Sequence, residues 1–303
     1  YPMEFCVGPA PRIIAGEPVD YDFRSVTNRG YEWSIAAGTL PDGLEFRNGR
    51  ITGIATVPGH YPLTLSLSDG KDSIGKDFDI IVRGRNLAKE GGKIIASADK
   101  CNFQVLDSCW LTNSRSYYAA DVDVINDGKV NGEGSVFCSL TEKSDRPKDD
   151  WFGYVWDEPR TIGMMSFHYG CMEEFGGWYS DMWVEALDDD GQWRKINAEV
   201  IPSLPESDEV FFQPHFVEYL FEFAPVTTRG IRIKGHDKVE RHWHKYTKNV
   251  SSFICVSEVQ AYAAEAKQVS MSKAELMDRI KGGWAGQTIG VVYGAPTEFK
   301  FTG

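Results

Sequence analysis

At 303 residues the chain is long enough for two or three domains that each bury their own core. Its 32 basic residues against 44 acidic ones give a net charge of -12, with the acids spread along the chain, a field that repels phosphate backbones and anionic lipid surfaces. No nucleic-acid partner and no membrane insertion are therefore expected, and no apolar run reaches the roughly 18 residues of a membrane span.

In residues 1–83, Leu63, Leu65 and Leu67 alternate with Thr64, Ser66 and Ser68, the period of a strand with one buried face. Phe78, Ile80 and Val82 repeat the device. Between the two runs, Asp69-Gly70-Lys71 is a turn signal, because glycine accepts positive φ without strain, so the pair predicts a β-hairpin. Upstream, Leu40-Pro41-Asp42-Gly43-Leu44, Asn48-Gly49, Ile51-Thr52-Gly53 and Pro58-Gly59-His60-Tyr61 bring turns every several residues, as a small sandwich requires. At these motifs the stretch resembles the immunoglobulin-like domains found beside bacterial extracellular hydrolases, which implies a spacer without chemistry of its own. Asp69, Asp72 and Asp79 are expected to be solvated hairpin acids rather than calcium ligands.

Residues 84–93, polar and holding Gly84, Gly91 and Gly92, are expected to be a linker. Strand patterns then resume over residues 94–263. Met182, Val184 and Ala186 form one face before the turn Asp190-Gly191; Val217, Tyr219, Phe221 and Phe223 oppose Glu218 and Glu222; Ile231 and Ile233 alternate with Arg232 and Lys234. The stretch is predicted to be a β-sandwich or jelly roll. Asp127-Gly128, Trp151 to Pro159, Val184-Glu185-Ala186 with Asp190-Gly191-Gln192-Trp193, Gly230-Ile231-Arg232-Ile233 and Ser257-Glu258-Val259 come in the order and spacing of the discoidin domain. The resemblance to that family, also called coagulation-factor type C, implies a galactose-binding-like fold and a structural calcium ion held by Asp127 and Glu258, although Lys129 stands where the family has a second acid. The stretch Asp121 to Glu133 imitates an EF-hand, but counting from Asp123 the third and twelfth loop positions are Ile125 and Gly134, which offer no side-chain oxygen.

Carbohydrate recognition needs aromatic faces and hydrogen-bonding groups on loops at one end of a sandwich. Two segments have that composition: one carries Glu174, Trp178 and Tyr179, the other His236, Arg241, His242 and Trp243. Trp178 and Trp243 serve equally well as plugs for the open end of the sandwich. His242 and His244 would share a face of an extended segment and could bind zinc, but no third ligand is visible in the sequence. The six cysteines are widely scattered without C-x-x-C spacing and are expected to be mainly small buried side chains, with one disulfide within residues 101–255 left open.

From Ser272-Lys273-Ala274-Glu275, a capping box, the apolar period turns helical through Leu276, Ile280 and Trp284. Asp278-Arg279-Ile280-Lys281-Gly282, Gly286, Ile289-Gly290 and Gly294-Ala295-Pro296-Thr297-Glu298-Phe299 resemble the opening of the ADP-ribosylglycohydrolase family, with Val291 where that family has aspartate. The resemblance implies that residues 270–303 begin an incomplete helical domain in which Glu298 is the catalytic glutamate, positioning water or assisting the leaving group, with magnesium expected only in the missing catalytic remainder. The chain is thus expected to be mainly β, and to be the non-catalytic front of a secreted, periplasmic or surface-held glycoside-cleaving hydrolase, its partners a glycan and its own downstream catalytic domain. The alternatives are an adhesion or scaffold protein, or an enzyme using His168, Glu173 and Asp181.

Overall fold

The computed structural model describes residues 5, 10–24, 30–101, 118–130, 134–139, 149–170, 177–204, 216–237, 253–265, 277–278 and 281. The chain divides into two compact units, Tyr1–Ala266 and Lys267–Gly303. In the second, Met277, Asp278 and Lys281 are helical, while Glu298 lies outside the described residues. The first unit is built from strands, as the alternating patterns predict.

Among the described residues seven strands make the first sandwich: β1 (Ile13–Ile14), β2 (Pro18–Asp22), β3 (Glu32–Gly38), β4 (Leu44–Arg47), β5 (Arg50–Ile54), β6 (Gly59–Ser68) and β7 (Ser73–Arg83). One sheet runs β1-β7-β6-β3 and the other β2-β5-β4. The predicted hairpin is β6 and β7, in unbroken register from Gly59↔Val82 to Ser68↔Ser73. Its turn is set by Gly70 at φ 88° and by Asp69, whose Oδ1 accepts the backbone N–H groups of Lys71 and Asp72 at 2.8 Å. Those two donors hold the Asp69 carboxyl below its usual range, so the acid serves the turn. The alternating residues Leu63, Leu65, Leu67, Phe78, Ile80 and Val82 are all buried, together with Phe23, Trp33 and Ile51. Each side chain of this size contributes about 1.5–3 kcal/mol when fully buried.

Residues 84–93 do not hang free. A Cβ on Gly84 would lie 1.9 Å from the carbonyl oxygen of Ala263, the Ala263 N–H donates to the Arg85 carbonyl, and Leu87 and Ala88 are buried.

The second sandwich comprises β8 (Lys93–Ala96), β9 (Tyr118–Ala119), β10 (Val136–Cys138), β11 (Asp149–Tyr169), β12 (Tyr179–Leu187), β13 (Trp193–Lys195), β14 (Ala198–Ile201), β15 (Glu218–Asp237) and β16 (Cys255–Ala263). Its spine is the long antiparallel pair β11 and β15, whose register shifts between Val155 and Arg160. On one side of that bulge the pair hydrogen-bonds with β8 and β12, on the other with β16 and β14, so two strands belong to two layers. The layers face each other across an aromatic core: Phe152 lies 6.1 Å from Phe167, and Tyr154 donates its hydroxyl to the Val259 carbonyl at 2.6 Å. Met182, Val184, Tyr219, Phe221, Ile231 and Ile233 point into it as the alternation requires.

Cys138 and Cys255 are opposite one another on β10 and β16 and form a disulfide, within the range 101–255 where one was left open. Cys101 is a buried free thiol, its pKa pushed up to about 11 by burial, which keeps it inert.

The two sandwiches meet along a polar seam. Arg12 donates through Nη2 to Gln260 Oε1 at 2.8 Å and to the Tyr262 hydroxyl at 3.1 Å, and Arg83 Nη2 reaches both oxygens of Glu218 at 3.0 Å. A small apolar cluster of Ile81, Met164, Ile201, Leu220 and Tyr262 fills the space beside these pairs.

Candidate functional site

The start of β11, the start of β12 and the end of β15 share one end of the second sandwich. There β15 places His236 between two carboxylates, with Asp149 as its cross-strand partner on β11 and Asp181 as its partner on β12. His236 Nδ1 lies 2.6 Å from Asp181 Oδ1 and Nε2 lies 3.5 Å from Asp149 Oδ1. Lys234, two residues back on the same face, pairs with Asp149 at 3.0 Å. The imidazole thus stands exposed yet fixed from both sides. Its neighbour across the strand is Trp183, with ring centroids 5.0 Å apart.

Trp183 is oriented by its indole N–H, which donates to Glu185 Oε1 at 2.9 Å, while Glu185 is pinned by Arg232 at 2.6 Å. Arg232 in turn lies between two rings, 4.9 Å from Trp151 and 4.3 Å from Trp193. Such cation–π stacking locks a planar guanidinium, so the outward face of the sheet is a rigid ladder. Beside Trp183 a cleft of about 490 Å³ opens between β12, β13 and β14, floored by Val184, Val200 and Phe221. Lys195 Nζ lies 4.9 Å and Lys234 Nζ 5.8 Å from the centroid of the Trp183 ring.

Among the residues predicted to bind carbohydrate, His236 is the one both described and exposed here. Trp178 and Tyr179 are 2% and 5% exposed and belong to the core, with Tyr179 5.6 Å from Phe167 and its backbone N–H donating to the Tyr169 hydroxyl. Their ring faces are used up in packing, which corrects the expectation that they stack on a ligand and agrees with the plug alternative for Trp178. Glu174, Arg241, His242 and Trp243 lie outside the described residues. Of the residues of the enzyme alternative, His168 is buried and turned to Glu218 at 3.3 Å, Asp181 pairs with His236, and Glu173 lies outside the described residues. Asp149, Trp183 and Lys234 were missed as site residues because their sequence signal is only the outward half of an alternating strand.

Asp127 and Glu258, the two residues expected to hold calcium, face N–H donors among the described residues. Glu258 is fully buried; its Oε2 accepts the Gly128 N–H at 3.0 Å and its Oε1 accepts the Gln260 side-chain amide at 3.1 Å. Asp127 Oδ1 turns back to the Lys129 N–H at 2.7 Å. The Asn126 carbonyl is taken by the ammonium of Lys89. Burial pushes the Glu258 carboxyl up to about 7, with the Gly128 N–H, Gln260 and the charge of Lys89 opposing that rise. A calcium ion needs six to eight oxygen donors, and here both Glu258 oxygens, Asp127 Oδ1 and the Asn126 carbonyl face N–H or ammonium donors. Lys89 supplies the positive charge that a metal would bring. Adding millimolar calcium to the metal-free protein is accordingly expected to leave the unfolding midpoint unchanged, and a rise of several degrees in a thermal melt would contradict this.

No protein-family model matches the sequence, and no curated protein matches it. Among solved structures, similar folds include a family 32 CBM from Clostridium perfringens NanJ in complex with galactose, at 10% identity and TM-score 0.35 over 58% of this chain and 97% of that one. The C-terminal domain of a chitobiase from Bacteroides fragilis is 11% identical with TM-score 0.37, over 60% of this chain and 100% of that one. The lectin binding domain of Lectinolysin, complexed with Lewis b, is 13% identical with TM-score 0.36, over 59% and 96%. At these identities and TM-scores the likenesses assign neither a family nor a ligand to the chain.

Proposed function

We propose that the chain is a carbohydrate-binding accessory region whose glycan site is the end of the second sandwich around His236. The observation that carries this is the fixed trio Asp149, His236 and Asp181 beside the Trp183 ring. Sugar hydroxyls need donors and acceptors whose positions do not relax, and the carbon face of a pyranose needs an aromatic plane next to them. Here the strands supply both from positions in register, and the segment that follows β15 continues with Arg241, His242 and Trp243 in sequence. The disulfide supports placement in an oxidising compartment, such as the periplasm or the outside of the cell. Among the described residues no helix is long and apolar enough to cross a membrane.

In this reading the motif from Asp278 to Phe299 supports a neighbouring domain of ADP-ribosylglycohydrolase type, with Glu298 as its catalytic glutamate and magnesium as its cofactor, and the first sandwich is an immunoglobulin-like spacer. A glycan array probed with the full chain is expected to show retention on a restricted set of glycans. His236→Ala and Trp183→Ala should each reduce that retention at least about tenfold, the effect of removing about 1.4 kcal/mol from a hydrogen-bonding or stacking contact. Retention of no glycan above background would overturn the proposal and favour the adhesion or scaffold alternative.

A further inference from the structure

At one point of the seam three side chains of metal-ligating type converge. His60 comes from β6 of the first sandwich, Glu199 from β14 and Glu222 from β15 of the second, and one ligand atom from each lies within 4.8 Å of the others. Glu199 and Glu222 are direct cross-strand partners. Two like charges placed opposite each other destabilise a sheet, and Glu199 and Glu222 are so placed. A cation between the two carboxylates would offset that repulsion.

The histidine is prepared for that role. Its Nε2 lies 2.7 Å from Asp79 Oδ1, its backbone N–H donates to Glu222 Oε1 at 3.2 Å, and its side chain is only 12% exposed. A carboxylate on one ring nitrogen fixes the tautomer and leaves the lone pair on the other, the device by which metal-binding histidines are oriented. We propose that His60, Glu199 and Glu222 bind a divalent transition-metal ion, with Asp79 as the positioning residue, and that the ion ties the two sandwiches together. One imidazole nitrogen and two carboxylate oxygens suit zinc, whose tetrahedral ligands stand about 3.3 Å apart. Glu199 is exposed, so a change of rotamer closes the remaining distance. The site shares no residue with the end of the sandwich assigned to glycans and does not depend on that assignment.

Calorimetric titration of the metal-free 303-residue chain with zinc chloride is expected to give one saturable site per chain. Glu199→Gln alters an exposed side chain and leaves both cores intact, so it should fold and weaken zinc at least about tenfold; His60→Ala should do the same, and Asp79→Asn should cost about tenfold. At roughly a hundred times the measured Kd, zinc should raise the unfolding midpoint by about 5–10 °C, and Glu199→Gln should abolish that rise. The double variant His242→Ala, His244→Ala should bind zinc as the parent does. The proposal is overturned by the absence of saturable binding, by binding that survives Glu199→Gln and His60→Ala, or by loss of the site in the double variant.

Discussion

Arg83→Ala is expected to cost about 3 kcal/mol of stability at pH 7, because it removes the guanidinium that pairs with Glu218 in the seam between the two sandwiches. Arg83 is 5% exposed and its Nη2 is bidentate on Glu218, whose Oε1 also faces His168 Nε2 at 3.3 Å. Burial alone would raise the Glu218 carboxyl, but the hydrogen bond from His168 and the charge of Arg83 outweigh it and hold the group at about 2. The sign of the pH effect follows. The folded pKa lies below the unfolded one, so this stabilisation is complete above about pH 4.5 and is lost as pH falls towards 2. Urea unfolding of the parent should therefore show a falling midpoint across that window, and Glu218→Gln should flatten the fall. A cost below about 1 kcal/mol for Arg83→Ala, the value of an ordinary surface pair, would show that the seam is solvated.

The second large effect belongs to the disulfide. Cys138→Ser is expected to destabilise the second sandwich by about 4–5 kcal/mol, since the bridge closes a loop whose ends are 117 residues apart and chain-entropy cost grows with the logarithm of that number. Both cysteines are fully buried, so reduction should require partial unfolding. Urea midpoints with and without reductant measure the loss. Intact mass of the unreduced, alkylated chain measures the bond itself: a mass showing every cysteine alkylated after denaturation without reductant would contradict it.

The local half of this structure was legible in the sequence. Leu63, Leu65 and Leu67 announced a strand because a period of two puts every second side chain on one face, and the Asp69-Gly70 turn fixed the register of the hairpin. The same logic located Met182, Val184, Ile231 and Ile233 in the core of the second sandwich. What spacing does not carry is the partner across the sheet. Cys138 and Cys255 meet only because β10 pairs with β16, and Lys89 meets Asn126 only because residues 84–93 pack along the second sandwich rather than tether it.

The candidate site shows the same division. An aromatic beside a strand start is equally good as a ligand platform or a core plug, and for Trp178 and Tyr179 the packing of Phe167 and Tyr169 decided for the core. Trp183 and Asp149 looked like ordinary outward positions until the register set both beside His236. His60, Glu199 and Glu222 are farther apart still in sequence and come from two sandwiches. In each case the missing information is tertiary, and no periodicity encodes it.

The most direct test is at His236. With side-chain-labelled histidine the chain carries six imidazole probes, and His236→Ala assigns the relevant one. Titration with a glycan retained on the array is expected to shift the His236 resonances in a saturable manner while those of His60 and buried His168 stay in place. Saturable binding that leaves His236 unmoved, or that moves His60 and His168 instead, would contradict the placement of the glycan site at this end of the second sandwich.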